Sequence, residues 1–175
     1  MTVVESEPLD ADTCVRLPLN ADELLWQYEL LRLFTVELGE LIVLLSKECS
    51  RETCPQMKAT DEWLFLCAAH KKPQECCAMD YMVHTIDGSA ALLNSTKYFP
   101  SRATVPPSSK KFYQSVARRL YRVYAHAYFH HNVIYKQFEF EKKCGIRFAK
   151  FVRTFDLMPD KLLIIPDHAK LVRDA

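Results

Sequence analysis

The sequence predicts a mainly α fold, a single helical bundle domain with a little irregular or short strand structure near its cysteines. Three observations carry this. Apolar residues recur at three-, four- and seven-residue intervals over long stretches, the pattern of helices with one buried face. Only 3 Gly occur in 175 residues, too few for a turn-dense all-β chain. At 20.3 kDa the chain has the size of one domain and can bury a core without disulfides.

Residues 1–22 carry scattered acids and two prolines and read as a flexible N-terminal tail; residues 23–175 read as the helical domain. Asn20 with Glu23 three residues on has capping-box spacing. From there Leu24, Tyr28, Leu31, Leu38, Ile42 and Leu45 share one face of a helix ending near Lys47, long enough to be central in a bundle. Cys49 to Pro55 follows as a loop. Residues 57–77 hold the apolar run Trp63–Ala69, broken at Lys71-Lys72-Pro73, and read as loop with a possible short strand pair. A helix is predicted from Met79 to Leu93. The prolines at 100, 106 and 107 make a long loop, after which Ser108 or Ser109 caps a helix over about 110–131. On it Val116, Leu120, Val123 and Ala127 lie on one face. A further helix begins near Ile134, with Phe138, Phe148, Phe151 and Phe155 as its aromatic face, and a short apolar run, Leu162–Ile165, ends at Pro166.

Composition narrows the function classes. With 23 Lys+Arg against 22 Asp+Glu the net charge is +1, without the basic excess usual for wrapping nucleic acid or coating an anionic membrane. No stretch approaches the roughly 18 apolar residues of a membrane span. Met1–Leu17 lacks the basic-then-apolar order of a signal peptide, so the seven cysteines are expected in a reducing compartment, binding metal or packing in the core. No GxGxxG, P-loop or GxSxG motif is present, which speaks against dinucleotide and nucleotide-phosphate chemistry.

Two pairs stand out, Cys49-x4-Cys54 and His126-x4-His131. Thiolate and imidazole together suit zinc, and Cys2His2 is the ligand set of a closed structural centre. One pair follows the first long helix and the other ends a later one, so antiparallel packing would bring them together. Residues five apart on a regular helix point about 140° from each other, so His130 shares the face of His126 better than His131 does. For His131 to be the ligand, the helix must end or distort between them. The alternative is that these rings simply pack in the core.

A basic stripe lies on the same predicted helix. Arg118 and Arg122 are one turn apart, with Lys111 on that side and Arg119 at its edge, opposite the apolar face; Lys71 and Lys72 could join them in space. Guanidinium forks match phosphate geometry, which makes a phosphopeptide the better functional partner. For a lone stripe of this size, a solvated helix face is the simpler reading.

Several segments in order resemble the MOB family. They are Cys49-x4-Cys54-x2-Met57, Trp63–Lys71, Asp80-Tyr81, His84-Thr-x-Asp87-Gly88, Leu92–Ser95, Lys97–Arg102 and Arg118–Arg122 leading into His126–His131. The stretches 63–71 and 84–102 look like the phocein class, and the resemblance runs from about Trp26 to Pro166. It implies a helical, non-catalytic adaptor with one structural zinc on Cys49, Cys54, His126 and His131. It also implies a phosphopeptide-binding trio at Arg118, Arg119 and Arg122. Expected partners are a striatin-type scaffold, a type-2A protein phosphatase and Ste20-like kinases. The expected location is cytoplasmic, perinuclear and Golgi-associated, with a part in signalling and vesicle traffic.

Two rival readings remain from the residues alone. A metal-dependent hydrolase would draw on His70, His84 and His130 with Asp80 and Asp87, and would keep one coordination position open. A zinc-dependent nucleic-acid binder would show strongly salt-dependent binding, which the +1 charge disfavours.

Overall fold

A computed structural model of the chain describes residues 10–174. Its helices are α1 (Ala11–Val15), α2 (Glu23–Leu45), α3 (Ala78–Leu93), α4 (Lys110–His130), α5 (Asn132–Lys142), α6 (Cys144–Thr154) and α7 (Pro166–Arg173). Among the described residues there is no β-sheet; the cysteine-rich stretch between α2 and α3 contributes only isolated antiparallel bridges, Lys58 with Leu64 and Cys67 with Gln74.

The long helix α2 is central because it is apolar on more than one side. Besides the predicted stripe it buries Leu30, Phe34 and Leu41, and it packs against α3, α4, α5 and α6. Phe34 stands edge-on to Phe148, with ring centroids 5.1 Å apart, and also meets Phe151 of α6. Beside this cluster Glu37 of α2 pairs with Arg147 of α6, both largely withdrawn from water. Amphipathic α4 lays Val116, Leu120, Val123 and Ala127 into the same core.

Local chemistry sets the helix ends. α2 is capped by Asp22, whose carboxylate accepts from Leu25 N at 2.8 Å. The predicted cap Asn20 instead takes a left-handed turn, φ 61°, a conformation Asn tolerates better than most residues. Ser109 does stand at the start of α4, but its hydroxyl donates to the Tyr98 carbonyl at 2.6 Å rather than capping the helix. The predicted last helix is two. Lys143 turns left-handed, φ 49°, and Glu139 of α5 accepts from the first-turn amides of Gly145 and Ile146, both at 2.8 Å, capping α6 from the preceding helix. Gly145 is needed there, because a Cβ would come within 2.5 Å of the Tyr135 hydroxyl.

Two segments differ from the sequence reading. Residues 10–22, read as part of a flexible tail, include α1, which packs on α6, buries Ala11 and Val15, and joins α2 through a 3.0 Å bond from Trp26 Nε1 to the Val15 carbonyl. Residues 1–9 of the expected tail lie outside the described residues. Pro166 does not merely end the preceding run. It sits in the first turn of α7, where its missing N–H costs nothing and its fixed φ favours the helix.

Candidate metal centre

The segment after α2 is wound into a tight turn by its own hydroxyls. Thr53 Oγ1 donates to the Glu48 carbonyl and accepts from Ser50 N, both at 2.8 Å, and Cys54 N donates to the Ser50 carbonyl at 2.9 Å. This turn points the Cys49 and Cys54 thiols, both buried, toward the end of α4.

α4 ends at His130, and His131 takes φ −136°, ψ 50°, which is neither helical nor in line with the turn before it. The break redirects its ring. Cys49 Sγ lies 3.6 Å from His126 Nε2 and Cys54 Sγ lies 3.4 Å from His131 Nε2, and the four donor atoms lie within 4.8 Å of one another. His130, favoured by regular helix geometry, turns away: its Nε2 faces the Ala59 carbonyl at 2.9 Å while its ring stacks on His126.

The donors fit a tetrahedral ion. Zinc–sulfur and zinc–nitrogen bonds of about 2.3 and 2.05 Å at tetrahedral angles put S and N donors about 3.5 Å apart. Both thiol–imidazole contacts lie within about 0.1 Å of that. The outer partners set the ring chemistry. His126 Nδ1 donates to the Lys58 carbonyl at 2.7 Å, leaving Nε2 free as the ligating nitrogen, and His131 Nδ1 lies 3.5 Å from Glu48 Oε2. Burial lowers the His126 pKa to about 4, which keeps the ring in its neutral, ligating form. Burial, with the Cys54 thiol alongside, pushes Cys49 up to about 12, so without a cation it stays a thiol and a bound ion would displace its proton.

The basic stripe occupies the middle of the same helix. Arg118 and Arg119 are exposed, and among the described residues neither pairs with a carboxylate. Arg122 is half-buried and held in place: Nη1 donates to the Tyr81 hydroxyl at 2.6 Å, and the guanidinium lies 4.7 Å from the Phe65 ring centroid. A groove lies on each side of it. One is apolar, lined by Trp63, Phe65, Arg118, Met158 and Leu162; the other is lined by Ala68, Tyr81, His84, Thr85 and Arg119. Lys71 and Lys72 are exposed and line neither.

The rival hydrolase set is not assembled. His70 and His84 meet each other and two thiols, those of Cys67 and Cys76, rather than carboxylates. His130 belongs to the neighbourhood of the first cluster, Asp80 is tied to Arg51 at 2.9 Å, and Asp87 is exposed. Sequence reasoning passed over Cys67 and Cys76, and over Tyr81 and Phe65 as the supports of Arg122. The signal for the cysteines was their spacing from His70.

Fold and site together define a small helical domain whose distant segments meet at a closed, buried Cys2His2 cluster next to a cationic helix face. The chain belongs to the Mob1/phocein family, whose model matches residues 4–166 and so reaches well upstream of Trp26, where the resemblance in the sequence begins. It is 50% identical to the MOB kinase activator-like 4 of Drosophila melanogaster, over 94% of this chain and 74% of the fly protein. It is 49% identical to the MOB-like protein phocein of Caenorhabditis elegans, over 93% of this chain and 73% of the worm protein. A more distant relative, the maintenance of ploidy protein mob1 of Schizosaccharomyces pombe, is 30% identical over 84% of this chain and 74% of its own length.

Proposed function

We propose that this chain is a non-catalytic adaptor: a zinc-stapled helical platform that docks phosphorylated segments of kinase-linked partners. The observation that carries the reading is the pair of exposed guanidiniums, Arg118 and Arg119, beside an Arg122 already fixed by Tyr81 and Phe65. A phosphate bound there would meet the oriented fork of Arg122 and two further guanidiniums free to close on it, and the apolar groove next to them offers a place for a neighbouring side chain of the peptide. With zinc on Cys49, Cys54, His126 and His131, every tetrahedral position is filled by protein. No position remains to activate water, and the ion's contribution is to folding.

Kinase partners are supported by relatives named as kinase activators. The phocein-class resemblance extends the proposal to a striatin-type scaffold, a type-2A phosphatase and Ste20-like kinases, on cytoplasmic and Golgi-associated surfaces. Among the described residues no helix is long and apolar enough to cross a membrane, so association there would run through partners.

Calorimetric titration tests the face. A phosphopeptide from a co-purifying kinase should bind the parent and bind the Arg118→Ala/Arg119→Ala variant about two orders of magnitude more weakly. Hydrogen bonds to charged groups contribute about 1.5–3 kcal/mol each. These two side chains are exposed, so folding should survive. Equal binding by both proteins, or equal binding of the unphosphorylated peptide, refutes the docking role.

A further inference from the structure

We propose a second structural zinc site, held by Cys67, His70, Cys76 and His84, independent of the docking role and of the first cluster. The four donor atoms lie within 4.8 Å of one another. Cys67 Sγ is 3.5 Å from His84 Nδ1, His70 Nε2 is 3.1 Å from Cys76 Sγ, and Cys76 Sγ is 3.9 Å from His84 Nδ1. Those three values scatter about the 3.5 Å separation that zinc imposes on sulfur and nitrogen donors. The two rings meet edge to face, with centroids 5.1 Å apart, and His84 presents Nδ1 while His70 presents Nε2 to the thiols.

Backbone geometry prepares the site. Cys67 and Gln74 exchange both amide–carbonyl bonds, at 2.8 and 3.2 Å, closing a loop that carries His70 and returns the chain to Cys76. His84 comes from α3, which Cys77 caps by accepting from Asp80 N at 3.5 Å. Cys67-x2-His70 is the short ligand pair of a metal-binding turn, and the second pair comes from Cys76, just before the Cys77 cap of α3, and from His84 on that helix.

What makes an ion necessary is the poverty of other anchors. From residue 68 to residue 75 every side chain except that of His70 is exposed, so no apolar burial holds this stretch on the domain. Two thiols and two imidazoles converging from an otherwise solvated loop are a donor set without another structural use. Like the first cluster it is closed, with four protein ligands and no carboxylate, which makes the site structural rather than hydrolytic. An ion there would fasten the loop bearing Ala68 against α3, where it forms one wall of the groove containing Arg119 and Arg122.

Elemental analysis of the full chain, expressed with zinc and passed over a chelating resin, should give two zinc ions per chain. Cys76→Ser and Cys54→Ser should each keep one. A parent chain with a single ion, lost in Cys54→Ser and retained in Cys76→Ser, overturns the second site and leaves the first standing. Alkylation of the native parent followed by peptide mass mapping needs no variant. Cys67 and Cys76 should be protected until a strong chelator is added; labelling of both without chelator, or a disulfide between them, overturns the proposal.

Discussion

Replacing Glu37 by Gln tests what holds the centre of this fold. The Glu37 and Arg147 side chains are 15% and 7% exposed, and they join α2 to α6 beneath the aromatic cluster. Arg147 Nε already lacks a hydrogen-bond partner, so no spare acceptor stands by if the carboxylate loses its charge. Removing one partner of a buried pair costs about 3–5 kcal/mol, because the other charge is left without compensation. Gln keeps the volume and one acceptor, which puts Glu37→Gln at the lower end, about 3 kcal/mol. For a chain of this length that corresponds to a midpoint lower by roughly 6–12 °C. Glu37→Met combined with Arg147→Met removes both charges and should recover most of the loss. Chemical denaturation gives the energies, and metal content should stay at the parent level, since the pair touches neither cluster. A single variant within about 1 kcal/mol of the parent would show that the pair is effectively solvated and refute the reasoning.

Three other substitutions probe the first cluster, a buried imidazole and the α5–α6 turn. Cys54→Ser should lose the ion of the first cluster and several kcal/mol of stability, since metal binding at a site built by folding counts as folding energy; a variant that keeps its full zinc and melts like the parent refutes the ligand assignment. His168 is buried near Tyr121 and Tyr135, and burial lowers its pKa to about 4, whereas the unfolded chain takes up that proton near 6.5. The folded state is therefore penalised as pH falls from about 6.5 to 4, by up to about 3 kcal/mol, and in pH-dependent unfolding His168→Gln should flatten that decline. Gly145→Ala should cost about 1–3 kcal/mol by thermal melt, because the new methyl meets the Tyr135 hydroxyl, Glu139 and His168.

The long helices were legible because periodic burial is written in the side chains: Leu31, Leu38 and Leu45 recur on α2, and all three are fully buried. Boundaries were less so. Asn20 and Asp22 both satisfy a capping rule, and only the left-handed turn at Asn20 decides between them. α1 has five residues, too few to show a period, and draws its order from packing on α6. The left-handed residue of the break, Lys143, is neither glycine nor proline, and Gly145 two residues on falls inside α6, so neither announces the turn; the Glu139 side chain stabilises it from a turn away. The Cys and His pairs of the first cluster were visible as spacing, but which of His130 and His131 faces the thiols depended on a helix end that spacing does not encode. Cys67 and Cys76 were hidden for a different reason. Cys67 lies within the apolar run Trp63–Ala69, where a thiol reads as one more hydrophobe, and its partners come from a loop and a helix further on.

Helix α4 acts as a ruler between the cationic face and the Cys2His2 cluster. The half-buried guanidinium at 122 and the imidazole at 126 are four residues apart, about 6 Å along the axis and nearly in line around it. Inserting or deleting one residue between them would swing the cationic face by about 100° relative to the thiols. This stretch can therefore vary by substitution but not by length, and the angle of the arginine-bearing surface to the rest of the domain is set by the backbone itself.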